Sequence, residues 1–315
     1  MNVATNEEEI GVTITNAHVH LIELQKMIEL QGDVQIPASI SVLKEMETTL
    51  PLLSPMEAIR QMDEAGIDRS VLYAVEAPIV YASNEYVAGL CQAFPDRFIG
   101  FASVHPLDPQ APDKLEAAVK NLGLKGLKLH PPLQGFSPND ERVFPTYEKA
   151  LELNIPIVFH VGSTPFGCLC RLDHASPILL DQVAVRYPQL RIMLTHLGTL
   201  WHNESFMVVE KNPNVYIDTA AYVTEITAIL TPDIITRIGP DKIIFGTDYP
   251  MPYAGKVHKM KEFVDVIRSI DVSDQILADI FHNNFERMLA GNTAAEQVIS
   301  ASDMLARLGQ MMPAQ

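Results

Sequence analysis

The sequence predicts an α/β protein with the (β/α)8 TIM-barrel fold, and three observations support this prediction. Short apolar runs rich in β-branched residues recur eight times, and segments with helical periodicity lie between most of them. This regular alternation is typical of βαβ units and a parallel sheet. Eight such repeats fit a closed barrel better than an open doubly wound sheet. Neither a GxGxxG dinucleotide motif nor a P-loop motif is present.

The eight predicted strands follow one another along the chain. They span residues 11–19, 69–75, 97–104, 124–130, 155–161, 190–197, 214–220 and 242–248. Seven are followed by helical periodicity, with clear examples at residues 54–67, 83–95, 113–123 and 143–154. The last strand leads into a helical segment at residues 259–270. The first strand is the exception, because a long connection separates it from the next helix.

Residues 1–291 are predicted to form the barrel domain, and residues 21–53 are its long first connection. Insertions at this point of a barrel fall on the active-site face, where a partial lid and a decorative helical excursion are equal alternatives. Residues 292–315 are rich in Ala, Gln and Met. We expect them to form a terminal helix or tail that packs on a partner, and a homodimer is an open option.

The composition excludes several classes of partner. The chain has 315 residues, a formal net charge of −16 and a pI of about 5.0. Nucleic acids and anionic membranes need a basic footprint, so we expect neither as a partner. The charge does not bear on a small-molecule substrate, which is the partner that we expect. The three cysteines, Cys91, Cys168 and Cys170, predict a reducing compartment without a disulfide framework. No signal-peptide pattern or membrane-spanning run is present, so we expect a cytoplasmic protein.

Polar and metal-competent side chains collect at the carboxyl ends of the predicted strands. In a parallel barrel these ends lie on one rim, which carries the active site in barrel enzymes. Neutral imidazoles and a carboxylate suit Zn²⁺, Mn²⁺ or Fe²⁺, and the lack of thiolates disfavours a structural zinc site. We therefore expect a catalytic divalent metal, with zinc as the first choice. The residues concerned are His18, His20, Lys128, His130, His160, His196 and Asp248.

Strand alternation predicts which of these side chains share a face. In the first strand, one face is predicted to carry Ile14, Asn16, His18 and His20, and the other Thr15, Ala17 and Val19. In the fourth strand, Lys128 and His130 share the inner face with Gly126. A single buried histidine is usually a hydrogen-bonded core residue, but a set of them at strand ends indicates a metal site.

At this point the motifs can be compared with known families. The pieces "NAHVH", "GLKGLKLHPP", "FHVG", "THLG", "FGTDYP" and "NNFERML" occur in this order between residues 12 and 291. In this the chain resembles the amidohydrolase superfamily of metal-dependent barrels. The closest resemblance is to the amidohydrolase-related branch, also called amidohydrolase 2, which includes the aminocarboxymuconate-semialdehyde and resorcylate-type decarboxylases.

The resemblance implies a role for each of five residues. His18, His20 and His160 correspond to the histidine ligands of the metal. Asp248 corresponds to the carboxylate ligand that also handles the proton. His196 corresponds to a histidine that either takes a second metal or stays unligated and orients the water, and the second role fits a branch that usually holds one metal.

One position departs from the family pattern, in which an acidic residue commonly precedes the HxH pair. Asn16 occupies that position here. Asparagine can hydrogen-bond a ligand histidine or a loop, but it cannot supply a charge beside the ligand. We therefore expect weaker metal binding, and we expect that Asn16→Asp strengthens it.

Several further residues are candidates for substrate contact. Lys128 faces inward, and the alternatives are an ion pair with Asp248, a substrate carboxylate, or carboxylation as in some superfamily members. His130 reaches either the substrate or the loop that follows it. Four loop residues after the fifth, sixth and eighth strands are also candidates: Phe166, Arg171, Trp201 and Tyr249. Of these, Arg171 is the preferred anion clamp, because arginine pairs bidentately with carboxylates.

Three functions fit this pattern. The first is hydrolysis of a small amide, lactone or related carbonyl compound by metal-activated water, with Asp248 and His196 as the catalytic residues. The alternative is non-oxidative decarboxylation of an aromatic or enoic acid at the same metal site. The decarboxylases of the branch usually lack "KLHPP", which favours hydrolysis. A non-catalytic barrel with a relic site is the third, and Asn16 is the feature in its favour.

Overall fold

The computed structural model describes residues 12–31, 49–77, 80–253 and 256–291. Within these ranges, eight strands form the central sheet structure, and we label them β1 to β8. They are β1 (Thr15–Val19), β2 (Arg69–Tyr73), β3 (Phe98–Phe101), β4 (Leu127–Leu129), β5 (Ile157–Phe159), β6 (Ile192–Leu194), β7 (Val215–Asp218) and β8 (Ile243–Ile244). Each lies inside one of the predicted runs.

The strands are parallel and form a ring. β1, β2 and β3 pair in one sheet, and β4 to β8 pair in chain order in a second sheet. At one seam, Ala102 N donates to Gly126 O and Lys128 N donates to Ala102 O, both at 2.7 Å. At the other, Asp248 N donates to His18 O at 3.0 Å. The predicted TIM-barrel fold is therefore confirmed.

Helices follow the strands at the positions that the periodicity predicts. In chain order they are α1 (Leu24–Gln31), α2 (Pro55–Ala65), α3 (Asn84–Ala93), α4 (Ala111–Lys120), α5 (Pro131–Gln134), α6 (Phe144–Glu152), α7 (Ile178–Arg186), α8 (His202–Lys211), α9 (Ile226–Ile229), α10 (Pro232–Ile238), α11 (Met260–Arg268), α12 (Asp274–Ala278) and α13 (Asn284–Ala290). Local chemistry fixes some of the ends. Ser83 Oγ accepts a hydrogen bond from Tyr86 N at the start of α3, and Gly66 ends α2 with a φ of 70°.

Two packing layers surround the strands. The larger apolar cluster lies between the strands and the helices. The inner cluster fills the lower part of the barrel and is closed by Phe285 and Met288 of α13. Gly126 on β4 belongs to this inner packing, because the Phe101 ring occupies the space that a side chain would need. The upper part of the barrel is thus left to polar side chains.

Two antiparallel pairs lie beyond the carboxyl ends of the strands. One joins Val75–Ala77 to Val80–Ala82 after β2, and the other joins Pro252–Tyr253 to Lys256–Val257 after β8. The described ends of the 21–53 connection reach the same face. Glu23 N donates to Tyr81 O at 2.9 Å, and Tyr249 Oη donates to Leu52 O at 3.0 Å.

Two predicted segments fall outside the described residues. They are residues 32–48, the middle of the predicted insertion, and residues 292–315, the predicted tail. Among the described residues, no helix combines the length and apolar character that a bilayer crossing requires.

Candidate metal centre

The first strand contains an irregularity that sets the position of His18. Asn16 pairs with Ser70 and Val19 with Leu72, so β1 uses one residue more than β2 between these pairs. Ala17 consequently packs in the inner cluster, whereas Asn16 Nδ2 lies 4.0 Å from the sulfur of Met260 on α11. The predicted alternation of β1 is therefore wrong across the extra residue, because Asn16 and His18 do not share a face, and neither do Ala17 and Val19.

His18 and His20 face each other above this irregularity. Their Nε2 atoms are 3.1 Å apart, and both lie close to Asp248 Oδ1, at 3.2 Å from His18 and 3.4 Å from His20. His18 Nδ1 lies 2.7 Å from Asp218 Oδ2. An ionised carboxylate only accepts, so His18 Nδ1 carries the proton and its Nε2 presents a lone pair to His20 and Asp248.

A second pair of ring nitrogens lies beside the first. His196 Nδ1 donates to Ala220 O at 2.7 Å, and His160 Nε2 donates to Ser163 O at 3.3 Å. Their remaining nitrogens, His196 Nε2 and His160 Nδ1, are 3.0 Å apart. Because carbonyl oxygens only accept, both of these nitrogens are unprotonated, and two lone pairs face each other.

The backbone is strained where two of these residues are presented. His196 has a φ of 63° and Asp248 a φ of 55°, in the left-handed region that L-residues rarely occupy. Such conformations cost about 1–3 kcal/mol each and persist where the surrounding structure determines them. Gly162, with a φ of 87°, lets the loop after β5 approach the backbone of Thr199 and so brings His160 to His196.

Burial keeps these imidazoles neutral. Desolvation, followed by the nearby Lys128 and the other histidines, lowers the pKa of His18 and His130 well below the usual value. The pKa of His20 and His160 is lowered in the same way, and desolvation lowers the pKa of His196 to about 4. Neutral nitrogens that face one another need a cation between them, so the donor set fits a divalent metal.

Donor atoms of His18, His196 and Asp248 lie within 4.8 Å of one another, a spacing that could hold a metal ion. His20 adds a fourth donor through its contacts with His18 and Asp248. His196, which we expected to stay unligated, is therefore placed among the candidate ligands. His160 contacts this set through His196, and its role as a ligand stays a prediction.

Asp218 is a site residue that the sequence analysis missed. It is fully buried at the end of β7 and accepts hydrogen bonds from His18 Nδ1, from His196 N at 2.6 Å and from Ala220 N at 3.1 Å. Burial raises its pKa, while His196 lowers it. The signal was present in the sequence, because Asp218 ends "NVYID" just as Asp248 ends "FGTD".

Lys128 lies inside the barrel below the imidazoles. Its side chain is 2% exposed, its Nζ is 4.8 Å from the centre of the Tyr73 ring, and no hydrogen-bond partner is found for it within the described residues. Burial lowers the pKa of Lys128 to about 8, although Asp218 and Asp248 raise it. The ammonium is thus stabilised by carboxylates and an aromatic face, and its donors are available to a ligand.

A pocket with a cavity volume of about 50 Å³ opens above Lys128. Its polar lining is formed by His20, Ser103, Lys128, His130, His160, His196 and Asp248. The remainder is apolar and comes from loops after β2, β5 and β8, and we call it the apolar wall: Val75, Val80, Pro165, Phe166 and Met251. His130 stacks on His160 with ring centres 3.9 Å apart.

Three predicted substrate contacts lie elsewhere. Arg171 is exposed, and its guanidinium pairs with Asp173 at 2.5 Å. Tyr249 is 3% exposed and packs in the outer apolar cluster. Trp201 immediately precedes α8 and is not part of the pocket lining that the described residues form. Lys128, His130 and Phe166 are the predicted contacts that the structure brings to the pocket.

The arrangement of a barrel with metal-competent residues at its strand ends can now be compared with known proteins. A family profile described as amidohydrolase matches residues 15–290. The chain belongs to the amidohydrolase family. This confirms the resemblance drawn from the motifs, and it covers nearly all of the predicted barrel domain.

Individual relatives within this family are enzymes of more than one type. A gamma-resorcylate decarboxylase of Polaromonas sp. is 28% identical over 255 residues, which cover 61% of this chain and 76% of the relative. A 2-keto-4-carboxy-3-hexenedioate hydratase of Sphingobium sp. is 26% identical over 79% of this chain and 80% of the relative. A solved dihydroxybenzoic acid decarboxylase of Polaromonas sp., with bound manganese and 2-nitroresorcinol, has the same fold, with a TM-score of 0.67 at 20% identity over 91% of this chain and 99% of that one.

Asn16 has a different environment from the one we expected. Its Nδ2 donates to Thr247 Oγ1 at 2.9 Å, and its Oδ1 accepts from His18 N at 3.3 Å, so it contacts the backbone of His18 and not the ring. Asp218 already supplies the carboxylate beside that ring. We now expect Asn16→Asp to leave metal affinity unchanged and to reduce the free energy of unfolding by about 1–3 kcal/mol, because it buries a carboxylate near Met260. Metal titration and urea denaturation of the variant measure the two quantities, and tighter metal binding would restore the original interpretation.

Proposed function

We propose that this member of the amidohydrolase family is a metal-dependent carboxy-lyase. It would remove CO₂ from a small aromatic or enoic carboxylic acid without oxidation. The observation that carries the proposal is the position of Lys128. Its buried ammonium has no hydrogen-bond partner within the described residues, and it faces a pocket whose remaining lining is imidazole, Ser103, Asp248 and apolar side chains. A carboxylate is the ligand that such an ammonium binds most strongly.

The comparisons support this reaction more than the hydrolysis that we expected. Two of the relatives described above are named as decarboxylases of hydroxybenzoic acids. In the reaction, the bond between the carboxylate and its neighbouring carbon breaks. Its electron pair stays on that carbon, a proton is added there, and CO₂ leaves. The site must therefore hold a carboxylate and deliver one proton.

The chain's residues divide these tasks. Lys128 would bind the carboxylate from below, and the apolar wall would hold the rest of the molecule and exclude water. Asp248, which lies among the histidines and lines the pocket, would carry the proton to carbon. A divalent ion held by His18, His20, His196 and Asp248 would supply positive charge that stabilises the developing negative charge.

A second candidate function is hydration of an unsaturated acid, and one observation favours it. The Sphingobium hydratase aligns with 79% of this chain, a larger share than the Polaromonas decarboxylase. Hydration also requires a bound acid and a proton delivered to carbon, so the same residues would serve. Hydrolysis by the same centre is a third outcome of the test described next.

The test is a substrate panel assayed with the protein loaded with Mn²⁺ and, separately, with Zn²⁺. Manganese comes first because a structural relative holds it. The panel contains gamma-resorcylate, other hydroxybenzoates, unsaturated dicarboxylic acids, lactones and amides. We expect release of CO₂ from at least one hydroxybenzoate with one equivalent of the decarboxylated product. Water addition or ester and amide cleavage without CO₂ would overturn the proposal. The cytoplasmic location and the homodimer stay predictions.

A further inference from the structure

The pocket has charged groups at its base and uncharged groups above. Lys128 belongs to β4, inside the barrel, whereas the apolar wall is formed by loops that follow the strands. Phe166 is 5% exposed and packs with Leu133, Val80 and Met251 in an apolar cluster separate from the two barrel cores. The far end of a ligand that binds Lys128 therefore contacts the side chains of the apolar wall.

The described residues provide no second cation at the upper end. Lys128 is the one lysine or arginine among the residues that line the described pocket. Arg171 lies nearby in sequence, but it is exposed and paired with Asp173. The histidines of the lining, His20, His130, His160 and His196, belong to its polar part and not to the apolar wall. The cationic side chain that can pair with a carboxylate therefore lies at the base of the pocket.

We propose that the pocket accepts acids with one carboxylate and an uncharged, carbon-rich remainder, and rejects acids that carry a second carboxylate at the far end. This inference rests on the proposed function for one premise, that the substrate is a carboxylic acid. It adds the class of acid and names Phe166 and Met251 as residues that determine specificity. It also disfavours hydration of the acid named for the Sphingobium relative, which carries several carboxylates.

The physical reason is desolvation. A carboxylate placed against Phe166 and Met251 loses part of its water, and the described residues supply no lysine or arginine there. It should therefore bind far more weakly than a methyl group in the same place. We expect a preference of roughly 100-fold for the uncharged substituent. A new guanidinium in the wall should remove the penalty, because a paired carboxylate keeps strong hydrogen bonds.

The test uses two ligands of nearly the same shape. One is salicylate with a methyl group opposite its carboxylate, and the other is salicylate with a second carboxylate at that position. Calorimetry on the metal-loaded protein gives the two dissociation constants, and a CO₂ assay gives turnover. The variants are Phe166→Arg and, in case this one does not fold, Met251→Arg. Cys168→Arg is the matched control, because Cys168 is an exposed residue of the same loop and does not line the pocket.

The outcomes separate this inference from the proposed function. We expect the methyl compound to bind about 100-fold more tightly to the parent protein. Phe166→Arg or Met251→Arg should improve binding of the diacid by about 10-fold or more, whereas Cys168→Arg should not. Equal binding of the two ligands to the parent protein would overturn the inference, even if CO₂ is released. Preferential binding of the methyl compound without any CO₂ release would support the inference and count against the proposed decarboxylation.

Discussion

Asparagine in place of Asp248 is expected to reduce turnover by about 10²–10⁴-fold, the usual contribution of a positioned acid or base. Asp248 Oδ1 lies 3.2 Å from His18 Nε2 and 3.4 Å from His20 Nε2, and its carboxylate lines the pocket. An amide preserves the shape and one oxygen for the metal, but it cannot take up and release a proton. We therefore expect Asp248→Asn to retain much of its bound metal and to lose almost all activity.

Two measurements check this prediction. Metal content by mass spectrometry reports on the ligand role, and CO₂ release from the best substrate of the panel reports on the proton role. Asp271→Asn is a suitable control, because Asp271 is an exposed aspartate outside the pocket. Activity near the parent value in Asp248→Asn would show that another group delivers the proton. Loss of metal and activity together would assign Asp248 to binding alone.

The barrel could be predicted from the sequence because its signal is repeated. Each of the eight strands lies inside a predicted run. The helix predicted at residues 83–95, for example, is α3 (Asn84–Ala93), which starts where Ser83 caps it. The placement of metal-competent residues on one rim follows from parallel strands alone. No information about loops or register was needed for these two conclusions.

The details of the site depend on features that strand periodicity does not contain. The extra residue in β1 turns Ala17 and His18 to the same side, and nothing in "TNAHVH" reveals it. The left-handed backbone at His196 and Asp248 decides which ring nitrogens meet, and it arises from packing of the loops. Arg171 was selected for its chemistry, but the chain places it against Asp173 at the surface. The distances between residues on different loops depend on tertiary packing, which strand periodicity does not predict.

Asp218 is a different case, because its place in the site could have been predicted from the sequence. It ends the seventh predicted strand, but the family pattern places the acidic residue directly before the histidine pair, where Asn16 stands. In the structure, the negative charge beside His18 comes from Asp218 on β7, two strands away around the barrel. Asn16 on β1 accepts a hydrogen bond from the backbone of His18 instead. The site is therefore complete without an acidic residue in front of the histidine pair.

This difference leads to the second prediction, which concerns Asp218→Asn. The carboxylate fixes the tautomer of His18 and accepts from two backbone amides, at His196 and Ala220. Replacing a carboxylate that orients a ligand histidine typically weakens metal binding by about 10–100-fold. The amide also places donors against donors in a fully buried position, which should lower the free energy of unfolding by about 1–3 kcal/mol.

A control on the same strand separates these two effects. Asn214 is buried at the opposite end of β7, where its side-chain amide donates to three backbone carbonyls, those of Ala184, Tyr187 and Leu190. Asn214→Ala should lose a similar amount of stability, measured by urea denaturation, without any change in metal affinity. If Asp218→Asn behaves in the same way, Asp218 only supports the fold. If metal affinity falls in Asp218→Asn alone, the charge that holds His18 in its binding tautomer comes from β7, and the asparagine before the histidine pair is no evidence for a relic site.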